Sequence, residues 1–160
     1  MITLRKLRDD ETGLLKDFLY EAIFIPEGVE NPDRSIVDLP ELSLYYDGFG
    51  SGPADCCIVA DEDGKVVGAV WTRIMNDYGH VDDATPSFAI SLLPDYRGKG
   101  IGTCMMREML AQLRDKGYKK ASLAVQKTNY AVGMYRAVGF RTVAETDEEF
   151  IMVCDLQNTP

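Results

Sequence analysis

The stretch Phe88-Ala89-Ile90-Ser91-Leu92-Leu93-Pro94-Asp95-Tyr96-Arg97-Gly98-Lys99-Gly100-Ile101-Gly102 decides the fold. Its first six residues form a short apolar run, and Pro94 stops it, so it reads as a buried strand. From Gly102 onward the apolar spacing turns helical. Three glycines and two cations therefore stand where a strand gives way to a helix N-terminus. The first-turn N–H groups of a helix have no intrahelical acceptor, and the dipole presents its positive end there. Such a junction suits a phosphate or pyrophosphate. Glycine lets the backbone approach the anion with no Cβ in between. Two commoner phosphate motifs do not fit. No lysine follows Gly102, as a P-loop requires, and the G-x-G-x-G spacing is one residue short of the dinucleotide fingerprint. On spacing alone, a plain glycine-punctuated helix cap fits the stretch as well.

Working outward, Gly102 to Lys116 is the clearest helix. Ile101, Met105, Met109 (or Leu110) and Leu113 share a face, and Gly117 is the C-terminal stop. Ala121 to Val125 then reads as a strand, so strand, helix and strand form a right-handed βαβ unit with parallel strands. Toward the N-terminus, Ile2 to Leu7 alternates as a strand, and Asp9 or Asp10 is placed to cap a helix over Glu11 to Ile23. Phe24 to Pro40 carries Pro26, Pro32 and Pro40 and reads as a loop into a short helix near Glu41 to Tyr46. Cys56 to Ala60 and Lys65 to Met75 form a hairpin about Asp61-Glu62-Asp63-Gly64, with Gly64 supplying the positive φ. Asn76 to Pro86 is a loop. Asn129 is placed to cap a helix over Ala131 to Ala137 that Gly139 ends. Phe140 to Ala144 and Phe150 to Asp155 read as a last hairpin around the acidic turn Glu145 to Glu149. The expected architecture is a single α/β domain over residues 1–160. Its sheet is mixed and mostly antiparallel, with one central parallel βαβ crossover and flanking helices.

With 160 residues, 46% hydrophobic and 27% charged, the chain is long and apolar enough to fold around a sizeable core. No stretch approaches the ~18 apolar residues of a membrane span. Met1 to Lys6 lacks the apolar core of a leader, so a cytoplasmic protein is expected. Cys56, Cys57, Cys104 and Cys154 contain no C-x-x-C pair, and His80 is the one histidine. That spacing argues against zinc and for buried free thiols. The 17 basic and 26 acidic residues leave a net charge of −9, which disfavours nucleic acid. The same charge suits a cationic substrate such as an amine, and it also suits plain solubility.

Asn129 and Tyr135 follow the strand expected to lie parallel to Phe88–Leu93. Ligands in such sheets bind at the carboxyl ends of strands, so both residues can converge with the glycine loop on one cleft. A neutral phenol can protonate a departing thiolate. A helix cap and a core aromatic are the plainer readings of the same two residues.

Asp95-Tyr96-Arg97-Gly98-Lys99-Gly100-Ile101-Gly102 resembles the R-x-x-G-x-G acyl-CoA signature of the GNAT superfamily of N-acetyltransferases. Asn129-x-x-Ala-x-x-Met-Tyr135-x-x-x-Gly139-Phe140 is similar to that superfamily's second block, and the order of elements matches over almost the whole chain. The resemblance implies a GNAT-like domain and acetyl-CoA as acyl-donor co-substrate, with no metal. It implies transfer to a primary amine of a small molecule or peptide by direct attack. Ile90, Ser91, Leu92 and Leu93 would present backbone groups to the pantetheine arm, with a bulge there splaying the strand from its parallel neighbour. The amides of Arg97, Gly98, Lys99, Gly100, Ile101 and Gly102, with Thr103, would hold the pyrophosphate. Asn129 would touch the pantetheine or adenosine side. Tyr135 would be the general acid, and the N–H of Leu92 the oxyanion donor. The expected partners are acetyl-CoA and an amine acceptor, with no nucleic acid and no membrane; a homodimer is left open.

Many members of that superfamily carry a glutamate early on the strand before the glycine loop. Here the region reads Thr85-Pro86-Ser87-Phe88-Ala89, with no carboxylate. His80, Asp82, Asp83, Glu27 or a water are the alternatives for the base, as is an amine arriving already neutral. Tyr45, Tyr46 and Phe49 are candidate walls for the acceptor, or core packing of the short helix. The missing carboxylate also keeps open a non-catalytic acyl-CoA-binding sensor or interaction module. A nucleotide-binding protein of another kind is the third reading.

Overall fold

The computed structural model describes residues 1–157. Seven strands form one mixed sheet: β1 Ile2–Lys6, β2 Cys56–Glu62, β3 Lys65–Arg73, β4 Ser87–Leu92, β5 Lys120–Gln126, β6 Phe140–Glu145 and β7 Glu149–Asp155. The helices are α1 Leu14–Ala22, α2 Pro40–Ser43, α3 Ile101–Asp115 and α4 Ala131–Ala137. The sheet order is β1-β2-β3-β4-β5-β7-β6. Only β4 and β5 run parallel, joined through α3. No helix among the described residues is long and apolar enough to cross a membrane.

Period-2 alternation sorts the core into two layers. Cys56, Ile58 and Ala60 face α3, where they meet Met105, Met106, Met109 and Leu113. Cys57, Val59, Ala69 and Trp71 face α1, against Leu15, Phe18 and Leu19. Cys56 and Cys57 thus point to opposite faces although adjacent. Three of the four thiols are buried as expected, but Cys104 is exposed, because position 104 lies on the outer side of α3.

Several element boundaries differ from the expectation: β3 ends at Arg73 rather than Met75, and α2 spans Pro40–Ser43 rather than Glu41 to Tyr46. The first helix begins at Leu14 after a separate 3-10 turn at Asp9–Glu11, and neither Asp9 nor Asp10 caps it. Glu11 is drawn away: both its oxygens bond the Arg5 guanidinium at 2.8 Å, and Oε1 also accepts the Arg8 N–H. The segment expected as loop before α2 contains a further 3-10 turn, Arg34–Asp38, capped by Asp33. In the first hairpin the turn is Asp63-Gly64, both at positive φ (52° and 96°), which extends β2 through Glu62.

The sheet opens between β4 and β5. Their paired register is confined to Ser87 and Ser122, whose hydroxyls lie 3.4 Å apart. Beyond that pair the strands part. A bulge in β4 is not the cause, since its register with β3 runs without a shift from Arg73↔Ser87 to Gly68↔Leu92. Instead the segment preceding β4 is anchored at the apex. Asp77 accepts hydrogen bonds from the Tyr45 hydroxyl (2.8 Å) and the Ser87 hydroxyl (2.9 Å). Gly79 lies against the β5 backbone so closely that a Cβ there would stand 2.8 Å from the Ala124 nitrogen and 2.9 Å from the Leu123 carbonyl carbon. Backbone atoms cannot rotate aside as a side chain can. Gly79→Ala is therefore expected to destabilise the fold by about 1–3 kcal/mol, the usual cost of overpacking. A urea midpoint unchanged from the parent protein would refute that close approach.

Candidate active site

Two cavities occupy the opening. The larger, about 510 Å³, runs from the C-terminal end of β4 across the glycine loop to α4. That volume falls within the range typical of cofactor-sized ligands. The smaller, about 250 Å³, lies between the parted faces of β4 and β5 and under α1 and α2. Ile90, Asn129 and Tyr135 line both, so the cavities meet at those residues.

Antiparallel pairing explains what β4 offers the opening. Leu93 N–H donates to Val67 O on β3. Amides alternate between the two edges of a strand, so those of Leu92 and Ile90 are directed away from β3, toward the departed β5. An unpaired backbone donor is costly unless solvent or a ligand satisfies it. The Ser91 hydroxyl turns the other way and donates to Phe18 O at 2.6 Å, fixing α1 over the strand.

The glycine loop supplies the second set of donors. Gly98 (φ 74°) and Gly100 (φ 83°) are left-handed, and no atom lies within 4 Å of where either Cβ would stand. Leu93 and Arg97 flank the 3-10 turn Pro94–Tyr96, and Gly100 caps α3. Among the described residues, no amide from Gly98 to Thr103 donates to a backbone acceptor. Free N–H groups at the positive end of a helix dipole are the kind of donors that suit an anion. The side chains behave differently. Lys99 lies over the Tyr96 ring, 5.7 Å from its centroid, and does not line the cavity. Arg97 folds back, with Nε donating to Leu92 O at 3.0 Å and the guanidinium 3.6 Å from Glu21. Leu93 and Ile101 pack on the core instead of lining either cavity.

α4 brings the remaining groups. Asn129 Oδ1 accepts the Ala131 N–H at 2.9 Å, so Asn129 holds the first amide of α4 while lining the cleft; the N-cap position itself is Tyr130. Tyr135 is buried, 9% exposed, with its ring edge-on to Phe140. Burial pushes its phenol well above the ordinary value, so the ring carries its proton throughout the physiological range.

The four residues weighed as base do not line the opening. His80 Nε2 is 3.2 Å from Asp83, and its Nδ1 is buried with no hydrogen-bond partner among the described residues. Asp82 holds its own turn through Ala84 N–H and the Thr85 hydroxyl. Glu27 is exposed in the loop after α1. Of the aromatic candidates, Tyr45 lines the smaller cavity. Tyr46 instead bonds Val37 O, and Phe49 packs under Arg73. Sequence reasoning passed over Glu149 and Tyr78, which line the smaller cavity, and Glu21 and Asn31, which line the larger. Glu149 stands in an acidic turn and reads as solvated; only the pairing of β7 directly with β5 brings it to the opening.

The chain matches the Acetyltransferase (GNAT) family model over residues 19–140. It is similar to a mycothiol acetyltransferase of Propionibacterium freudenreichii subsp. shermanii, 29% identical over 146 residues. That match takes in 89% of this chain but only 44% of the relative, so the chain spans less than half of that protein. It is also similar to the thialysine N-epsilon-acetyltransferase of Mus musculus, 30% identical over 128 residues, covering 69% of this chain and 70% of that one. Among solved structures, the PaiA N-acetyltransferase of Thermoplasma acidophilum in complex with coenzyme A shares the fold. Its TM-score is 0.68 at 20% identity, over 97% of this chain and 99% of that one.

Proposed function

The chain belongs to the acetyltransferase (GNAT) family, and on that premise we propose that it transfers an acetyl group from acetyl-CoA to a primary amine. The observation that carries the reading is the junction of two cavities at Tyr135, beside the outward amides of Ile90 and Leu92. The family and the CoA complex of the PaiA neighbour support the larger cavity as the donor side. The smaller cavity is then the acceptor side.

The residues fit that donor. The free amides of Gly98 to Thr103 suit a pyrophosphate, and the amides of Ile90 and Leu92 suit the amide-bearing arm. Acetyl-CoA brings the activated carbonyl. The Leu92 N–H stabilises the negative charge that develops on the carbonyl oxygen during attack. Tyr135 gives its proton to the departing sulfur as the C–S bond breaks and negative charge builds on it. Holding both reactants at one junction supplies much of the remaining acceleration. The net charge of −9 favours a cationic acceptor over nucleic acid, and the free thiols favour the cytoplasm.

The test is a panel of amines and peptides incubated with acetyl-CoA and read by free thiol. Amine-dependent thiol release is the expected result. Calorimetric binding of CoA with no release on any amine would overturn the reading in favour of a non-catalytic acyl-CoA-binding module.

A further inference from the structure

We propose that Glu149 is the counter-ion and proton acceptor for the incoming amine, and that the amine sits on a compact apolar body of arylalkyl or branched-alkyl type. This rests on the acetyl-transfer reading of the same site.

Glu149 is the only charged residue among those lining the acceptor cavity. Most of the remaining wall is apolar, with Leu19, Phe24, Phe88, Leu123 and Val125 prominent. At about 250 Å³ the space holds roughly one ring or branched chain, given that a 150 Å³ apolar cavity takes benzene. A sugar would set most of its hydroxyls against the apolar side chains, and a polyamine would bury a second ammonium with no second carboxylate there.

The Glu149 carboxylate has no hydrogen bond or ion pair of its own among the described residues, although two cations stand at the adjoining Phe150. Lys127 is engaged by Glu145 at 2.6 Å, and Lys127 and Arg136 both lie over the Phe150 ring. Successive residues of a strand face opposite sides, so those cations lie across the sheet from Glu149. Its cross-strand partner, Gln126, is neutral and lines the same cavity. The titratable groups near it are Glu148 in its own turn, Tyr45 in the turn after α2, Tyr78 in the loop before β4 and Tyr135 on α4, with Asp77 behind Tyr45. None is a cation. Desolvation, then Glu148, raises the Glu149 carboxyl above the usual range. That shift brings it closer to the working pH of a base.

The protons balance as follows. The ammonium pairs with the Glu149 carboxylate and gives it one proton, which passes on to solvent. The freed nitrogen lone pair forms the C–N bond, and the C–S bond breaks with its electrons on sulfur. Tyr135 protonates the sulfur, and the second proton lost by nitrogen restores the phenol.

Glu149→Gln keeps the shape and removes the charge. In the 160-residue chain, with phenethylamine as probe, kcat/KM for the amine at neutral pH should fall about 100-fold or more. The KM for acetyl-CoA should stay within about threefold. Wild type should show an acid limb as Glu149 protonates. The variant should lose that limb and instead climb toward the pKa of the free amine. Glu149→Asp should recover part of the rate. Phenethylamine should exceed spermidine and glucosamine by about tenfold or more in kcat/KM. Full activity in Glu149→Gln with an unchanged pH profile, or a preference for spermidine or glucosamine, would overturn the assignment while leaving acetyl transfer intact. Absence of thiol release by the wild type with every amine would overturn both.

Discussion

Tyr135→Phe is expected to lower kcat about 100-fold or more while leaving acetyl-CoA affinity within about threefold. The change deletes one oxygen from a ring that is otherwise packed against Phe140 and the α3 core. The phenol hydroxyl has no hydrogen bond within the described residues, so its loss orphans no protein group. Stability should therefore stay within about 0.5 kcal/mol, unlike a substitution that breaks a buried pair. The kinetic loss follows from the role of the proton. General-acid assistance typically contributes 10²–10⁴-fold, roughly 3–5 kcal/mol of barrier. Because burial raises the phenol pKa, the protonated form predominates up to at least the ordinary tyrosine value of about 10. Wild-type kcat should thus show no alkaline fall attributable to this group below about that pH. Steady-state kinetics with unfolding curves of both proteins decide the matter. Unchanged kcat in a folded variant would remove Tyr135 from the chemistry and leave it a core aromatic.

How far the site could be read from residues alone follows from the range of the forces involved. The β4–α3 junction was legible because its signals are local: an apolar run, a proline, glycines and a change of period within fifteen or so residues. Asn129 and Tyr135 could be placed in the same cleft because a parallel crossover puts consecutive strand exits side by side. The start of α1 was misplaced because Glu11 is taken by Arg5, a partner on another element that no capping rule contains. The opening of the sheet was expected from a bulge in β4. It arises instead where Asp77 ties Tyr45 and Ser87 together and Gly79 seats on β5. Glu149 was invisible for a topological reason. A terminal hairpin can present either strand to its neighbour, and here the last strand, β7, inserts between β5 and β6. Had β6 paired with β5, the Glu149 carboxylate would lie one strand further from the cleft.

The glycine loop makes the second large prediction, and it separates backbone from side-chain recognition. Lys99 and Arg97 are the cations nearest the proposed pyrophosphate site in sequence, yet Lys99 lies over Tyr96 and Arg97 is turned onto Leu92 O and Glu21. The free donors are the amides from Gly98 to Thr103, and their direction depends on the left-handed backbone at Gly98 and Gly100. Gly100→Val places a β-branched residue at φ 83°, a conformation that costs about 1–3 kcal/mol. No protein atom lies within 4 Å of the new Cβ, so packing does not resist it. The loop relieves the strain by turning its amides, and the methyls then stand where an anion would approach. The KM for acetyl-CoA is expected to rise about 10–100-fold, with the unfolding midpoint shifted far less than a core substitution such as Trp71→Ala, for which about 3–5 kcal/mol is usual. Lys99→Ala, by contrast, should leave the KM for acetyl-CoA within about threefold. If Lys99→Ala weakens the donor as much as Gly100→Val does, the anion is held by the side chain, and the backbone cradle is not the grip.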